Sequence, residues 1–299
     1  MTRACSMLSI TRTIGLVFLV VAPMAAHPGS GIVVDRKGQV FFADTGGGIW
    51  KIDAQRRLTR QADTRFHWLA ADLDDRFKTG RMPTSPSGGF SRVGEDPTLL
   101  LSSDFPVAIS HDGALYYPER ARDGSLQLVR WTSDGARSVL ATLPGIVQGA
   151  PLHDVNGLSA GPSGSIYYTE NSAVRRVNPR GEVSTIAEHV TVPDCVAIPG
   201  NEPGDGPYLR GLDVALDGTV YVAAAGCGAL LRIDARGVVT PALRTLSPWS
   251  PTAVAVAGTD VYVLEYWHTS TENRSAWIPR VRKLRADGTV LLLATVRRD

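Results

Sequence analysis

Short apolar stretches alternate with polar turns along most of this chain. Val, Ile, Tyr and Phe cluster in runs of five or six residues, separated by turn triplets such as His-Asp-Gly, Pro-Ser-Gly and Leu-Asp-Gly. β-branched and aromatic runs closed by glycine turns predict hairpins. The same unit recurs as GIVVDRKGQVFFAD from Gly31, PVAISHDGALYYPE from Pro106, GLSAGPSGSIYYTE from Gly157, GLDVALDGTVYVAA from Gly211 and TAVAVAGTDVYVLE from Thr252. A degenerate copy, WLAADLDDRF, begins at Trp68. The six starts are separated by 37, 38, 51, 54 and 41 residues.

Several units continue into a third strand, a second turn and a fourth strand, most plainly in VRRVNPRGEVSTI, LLRIDARGVVTPAL and VRKLRADGTVLLLATV. Four short strands per repeat of about 40 residues predict an all-β fold, a six-bladed β-propeller of four-stranded antiparallel blades. A β-sandwich is the competing all-β arrangement, and the repeat period favours the propeller. No stretch has helical periodicity. Blade one begins close to residue 27, so blade six is expected to complete itself with Thr289 to Val296 as its outer strand. Three stretches rich in Gly, Pro or polar residues, 78–98, 190–209 and 267–277, are expected to be loops on this scaffold.

The N-terminus changes the picture of charge and location. Arg3 and Arg12 precede an apolar run from Ile14 to Ala22, followed by small residues. This predicts a secretory signal over residues 1–26, and a single propeller domain over 27–299. The run is about half the ~20 residues that span a bilayer, so no permanent membrane span is expected. The whole chain carries a formal charge of +2, and losing Arg3 and Arg12 brings it to zero. A neutral chain offers no electrostatic case for nucleic acid. Two of the three cysteines remain, Cys195 and Cys227. In an exported protein an even pair predicts a disulfide. The expected location is therefore secreted or periplasmic.

These units resemble the NHL repeats and the related senescence-marker protein/gluconolactonase family of six-bladed propellers, over Gly31 to Val296. The resemblance implies a divalent cation in the central channel, held by residues just before several inner strands. Asn156, in an Asn-Gly pair, matches one such ligand. Ser30 stands where the resemblance implies a Glu, and Arg210 where it implies an Asp. With one position in three matched, no cofactor is expected, a divalent cation stays as the alternative, and Asn156 is the sole candidate metal ligand.

Alignment of the repeats sets one residue before each inner strand: Ser30, His67, Phe105, Asn156, Arg210 and Pro251. In a propeller these converge on one end of the channel. The ends of the second strands carry Asp44, Glu119, Glu170, Ala224 and Glu265, with His268 three residues further on. The candidate ligand-binding residues are His67, Asn156 and Arg210 at the neck, with Glu170, Glu265 and His268 around the rim. Acids that end second strands also cap turns or pair with buried cations, and that reading stays open. No Ser-His-Asp arrangement can be defended from sequence alone, because triads are recognised by geometry, and no metal-protease helix or nucleotide loop is present in the sequence. The reading is a binding module for a small molecule or an extended peptide at the channel mouth. A lactone or ester hydrolase with an altered metal site is the alternative.

Overall fold

The structure, a computed structural model, describes residues 30–79, 82, 84–85, 88–103, 105–144, 155–170, 172–195, 206–267 and 273–298. The expected signal at 1–26 and His268 lie outside the described residues. The described chain is all-β, with six four-stranded antiparallel sheets and, besides strands and turns, only three-residue 3-10 turns.

Blade one is β1 (Ile32–Val34), β2 (Val40–Asp44), β3 (Gly48–Ile52) and β4 (Leu58–Ala62). Blade two holds β5 (Trp68–Asp72), β6 (Thr84–Ser85), β7 (Gly88–Val93) and β8 (Thr98–Ser102). Blade three holds β9 (Ala108–Ile109), β10 (Leu115–Arg120), β11 (Leu126–Trp131) and β12 (Arg137–Thr142). Blade four holds β13 (Gly157–Ala160), β14 (Ile166–Thr169), β15 (Val174–Val177) and β16 (Val183–Ala187). Blade five holds β17 (Leu209–Val214), β18 (Val220–Ala224), β19 (Ala229–Ile233) and β20 (Val239–Arg244). Blade six holds β21 (Trp249–Ala257), β22 (Asp260–Trp267), β23 (Ile278–Leu284) and β24 (Val290–Thr295). The inner strands β1, β5, β9, β13, β17 and β21 pack on one another in that order, and β21 returns to β1.

Two features of the repeat explain this ring. The second strands carry paired large residues, and period-two alternation sends each member to a different seam. Phe41 packs against blade two while Phe42 packs against blade six. Tyr117 enters the seam with blade two, whereas Tyr116 enters the seam with blade four. The core is thus six clusters, one per seam. The glycines that open several repeats allow the inner strands to approach closely. A Cβ on Gly157 would lie 2.6 Å from the Arg210 carbonyl oxygen, and one on Gly211 would lie 2.8 Å from Ala253 Cα.

Blade two departs from the expected loop at 78–98. Its sheet order is β5-β8-β7-β6, so after the inner strand the chain runs to the outer edge and returns inward. Phe77, fully buried, and Asp72, which accepts a 2.5 Å hydrogen bond from Phe77 N, mark the exit from the inner strand. The stretch is Gly- and Pro-rich, yet Phe90, Arg92 and Val93 pair with β8 and complete the sheet. The missing hairpin turn after β5 is why this copy looked degenerate.

The ring closes between blades six and one. β24 is the outer strand of blade six, and Val296 is buried with Ile32 and Phe42. Tyr266 donates its hydroxyl to the Ala43 carbonyl at 2.7 Å. Arg298 then clasps Asp44 through Nη1 at 2.8 Å and Nη2 at 2.7 Å. Cys195 and Cys227 form a disulfide across 32 residues, compatible with an oxidising location. Among the described residues no helix is long and apolar enough to cross a membrane.

Candidate functional site

The candidate mouth is the end of the channel where the inner strands begin. Arg210 defines it. It lies within β17 rather than before it, at a β-bulge where pairing with β18 slips between Leu209 and Leu212. A bulge re-aims a side chain and takes backbone carbonyls out of the ladder. Here blade four collects them: Asn156 Nδ2 donates to the Leu209 carbonyl at 2.9 Å, and Thr169 Oγ1 to the Arg210 carbonyl at 2.7 Å. The preceding Tyr208 is held at a positive φ of 46°, a costly conformation for a bulky residue. Its ring lies 5.8 Å from the Arg210 guanidinium carbon. Arg210 is 2% exposed, and burial pulls its pKa down, opposed by the Tyr208 and Tyr266 hydroxyls.

Blade two faces blade five across the ring, and His67 is its contribution. The His67 carbonyl accepts from Ser30 N at 2.8 Å, and its own N–H donates to Ser102 O at 3.2 Å. Its Nδ1 lies 2.6 Å from the Ser103 carbonyl, so Nδ1 is the donor and Nε2 the acceptor of the neutral ring. The ring meets Trp68 edge-on at 5.4 Å. Burial first, and then the positive fields of Arg274 and Arg210, push the His67 pKa down to about 4, although the Ser103 carbonyl favours the proton. The imidazole is therefore neutral near pH 7. Ser30 Oγ and Ser102 Oγ, both buried, have no hydrogen-bond partner among the described residues. The positive fields of Arg210 and Arg274 thus both reach His67, which lies beside buried hydroxyls.

The remaining candidates are placed differently. Phe105 is fully buried and stacks on Tyr117 at 5.6 Å, turned into the seam between blades two and three. Pro251 lies inside β21, opposite Glu265. The second-strand acids meet arginines. Glu119 pairs with Arg137 at 2.7 Å and Glu170 with Arg175 at 2.8 Å. Glu265, at 0% exposure, takes Arg280 Nε at 2.6 Å and is also bonded by Arg282. Arg280 in turn stacks 3.8 Å over the Trp249 ring. Carboxylates set as rim residues by the alignment are therefore held by arginines on the third or fourth strands of their own blades. Asp44 instead meets Arg298 of the neighbouring blade. Of the aromatic residues near the 267–277 insert, Tyr266 and Trp277 are buried and Trp267 is 42% exposed.

Three residues at the channel escaped the repeat alignment. Arg274 sits in a 3-10 turn, Arg274–Ala276, that follows the part of the insert lying outside the described residues. Tyr208 precedes the repeat in the sequence. Asp213 is the third residue of the fifth unit, and its counterparts Val33, Ala70, Ala108, Ser159 and Val254 all line the channel with it. That column held the signal, because Asp213 is its one ionisable member.

The described residues do not fit the divalent cation implied by the family resemblance. A buried guanidinium occupies the place of an acid, and Asn156 is the one matched position, its amide nitrogen donating to the backbone of blade five. Among the described residues no three His, Cys, Asp or Glu side chains converge. A hard cation wants six or more oxygen ligands, and an adjacent positive charge opposes it.

No family model matches the sequence, and no curated protein matches it either. Solved structures do match the fold. A Bacteroides thetaiotaomicron protein of unknown function is 13% identical with a TM-score of 0.58, over 81% of this chain and 68% of that one. The calcium-binding protein regucalcin from Agrobacterium tumefaciens is 18% identical with a TM-score of 0.54, over 81% and 82%. Virginiamycin B lyase from Staphylococcus aureus is 15% identical with a TM-score of 0.50, over 89% and 83%. At these identities the likeness concerns the six-bladed fold alone.

Proposed function

We propose that this chain is an exported β-propeller whose channel mouth binds an anionic small molecule or the carboxylate of an extended peptide. The observation that carries this reading is the buried guanidinium of Arg210, aimed by a bulge that blade four pins, whose positive field, like that of Arg274, reaches the neutral imidazole of His67. Guanidinium groups offer paired donors that match carboxylate or phosphate. His67 adds an acceptor near pH 7 and a third positive charge only in acid. The structures to which this chain is similar include a lyase and a calcium-binding protein, and one fold carries both. The fold therefore does not choose between binding and catalysis. The residues at the neck favour an anion over a cation, and binding over metal-assisted hydrolysis.

The test is calorimetric titration of the mature protein with acetate, succinate, inorganic phosphate and a tripeptide, with acetamide as neutral control. Saturable binding by at least one anion is expected, absent for acetamide and lost at least tenfold in Arg210→Ala. Equal binding to wild type and Arg210→Ala, or no anion bound at all, refutes the reading.

A further inference from the structure

Below the neck the channel widens into a cavity of about 230 Å³ lined by all six inner strands. Its upper lining, Ser30, Trp68, Gly157 and Gly211, is buried. Its lower lining, Val34, Ala71, Ile109, Ala160 and Val256, is half-buried, and Leu73 is exposed. The cavity therefore opens on the face opposite the mouth. Arg210 is not part of its lining, so the two ends of the channel are separate sites.

The third position of each repeat supplies a ring of side chains around this space: Val33, Ala70, Ala108, Ser159, Asp213 and Val254. Four are apolar, one is a hydroxyl and one is a carboxylate. Asp213 Oδ1 accepts from Ser159 Oγ at 2.6 Å and from Val214 N at 2.8 Å, and Oδ2 accepts from Val256 N at 2.7 Å. All three donors are neutral, and a carboxylate has room for about four. One acceptor position remains, on the oxygen that takes a single bond. Burial raises the Asp213 pKa against these hydrogen bonds, and no cationic side chain contributes to it. Asp213 is half-buried, and carboxylates shut away from bulk water normally meet a cation. Here the cavity offers a carboxyl group, space and apolar walls, and among the described residues no cationic side chain bonds that carboxyl.

We propose that the central channel, entered from the face opposite the mouth, binds a small alkylammonium ion with the Asp213 carboxylate as its counter-charge. One carboxylate matches a single positive charge, whereas a divalent ion wants several carboxylate or carbonyl oxygens at fixed distances. An ammonium group has donors for the open position of Asp213 and for the inner-strand carbonyls that edge the channel. A short alkyl chain would pack on Val33, Ala70, Ala108 and Val254. The proposal is independent of the anion site at the mouth.

Butylammonium chloride and butanol differ in charge at nearly equal shape, so the first experiment needs no variant. Titration of the mature protein, followed by saturation-transfer NMR and by thermal shift, should give saturable binding of butylammonium at least tenfold tighter than butanol. Potassium chloride at equal ionic strength should not displace it. Asp213→Asn should lose this preference, and Arg210→Ala should keep it. Equal affinity for butylammonium and butanol, no saturable binding, or displacement by calcium at lower concentration than butylammonium would overturn the proposal. Retention of the preference in a folded Asp213→Asn would do the same.

Discussion

Removing Arg298 tests how the ring is closed. Blade six takes no strand from elsewhere in the described chain, so the junction with blade one rests on side chains. Asp44, with no exposed surface, receives four donors: Gly46 N at 3.0 Å, Trp50 Nε1 at 3.2 Å, and the two Arg298 nitrogens at 2.7 and 2.8 Å. Arg298 also donates to the Trp277 carbonyl from Nε at 3.1 Å and from Nη2 at 2.7 Å. Arg298→Ala strands the carboxylate with two of its four donors. Breaking a buried pair by removing one partner costs about 3–5 kcal/mol. The surviving donors and the 22% exposure of the Arg298 side chain set the expectation near the lower end, about 3 kcal/mol. Loss of the Trp277 bonds adds about 1 kcal/mol. At about 2–4 °C per kcal/mol for a domain of this size, the melting temperature should fall by roughly 8–16 °C. Circular dichroism melts and urea titration of Arg298→Ala, Asp44→Asn and the double variant provide the assay. If the cost is a stranded charge, Asp44→Asn should recover part of it, with a coupling of about 2 kcal/mol. A melting temperature within 2 °C of wild type, or strictly additive effects in the double variant, refutes the clasp.

Two further outcomes are expected. Glu265→Gln leaves Arg280 and Arg282 facing one another around a neutral amide, so stability should fall by about 3–5 kcal/mol in urea titration; a loss below 1 kcal/mol would mean the pair is not structural. His67 has a folded pKa of about 4, below its ordinary 6.5, so its neutral form is favoured by folding. Its contribution is complete above pH 6.5 and is lost as the pH falls from 6.5 toward 4, by up to about 3 kcal/mol. His67→Gln should flatten the stability profile in that window, and a slope equal to that of wild type would contradict the burial of the ring.

The repeat pattern determined the architecture because hairpins are local. Apolar alternation, an Asp-Gly turn and a glycine at the start of the inner strand are all read within one unit of the sequence. Gly157 and Gly211 stand where neighbouring inner strands nearly touch, and the Phe41–Phe42 and Tyr116–Tyr117 pairs feed two seams at once. The outer strand of blade six was legible for the same reason, whereas the pairing of Cys195 with Cys227 was read from their being the two cysteines left after the expected signal. Blade two was not, because its strands pair in an order that skips the hairpin turn. Nor was the environment of the polar residues. Whether Glu265 meets a ligand or two arginines depends on cross-strand register with β23, and whether Asp213 faces solvent or the channel depends on closure of all six blades. Arg210 shows the limit most clearly: its place in the repeat was evident, but its burial comes from a bulge held by Asn156 and Thr169, more than 40 residues earlier in the chain. Strand period and turn chemistry are properties of neighbours in sequence. Register, burial and charge pairing are properties of neighbours in space, and only the closed ring decides them.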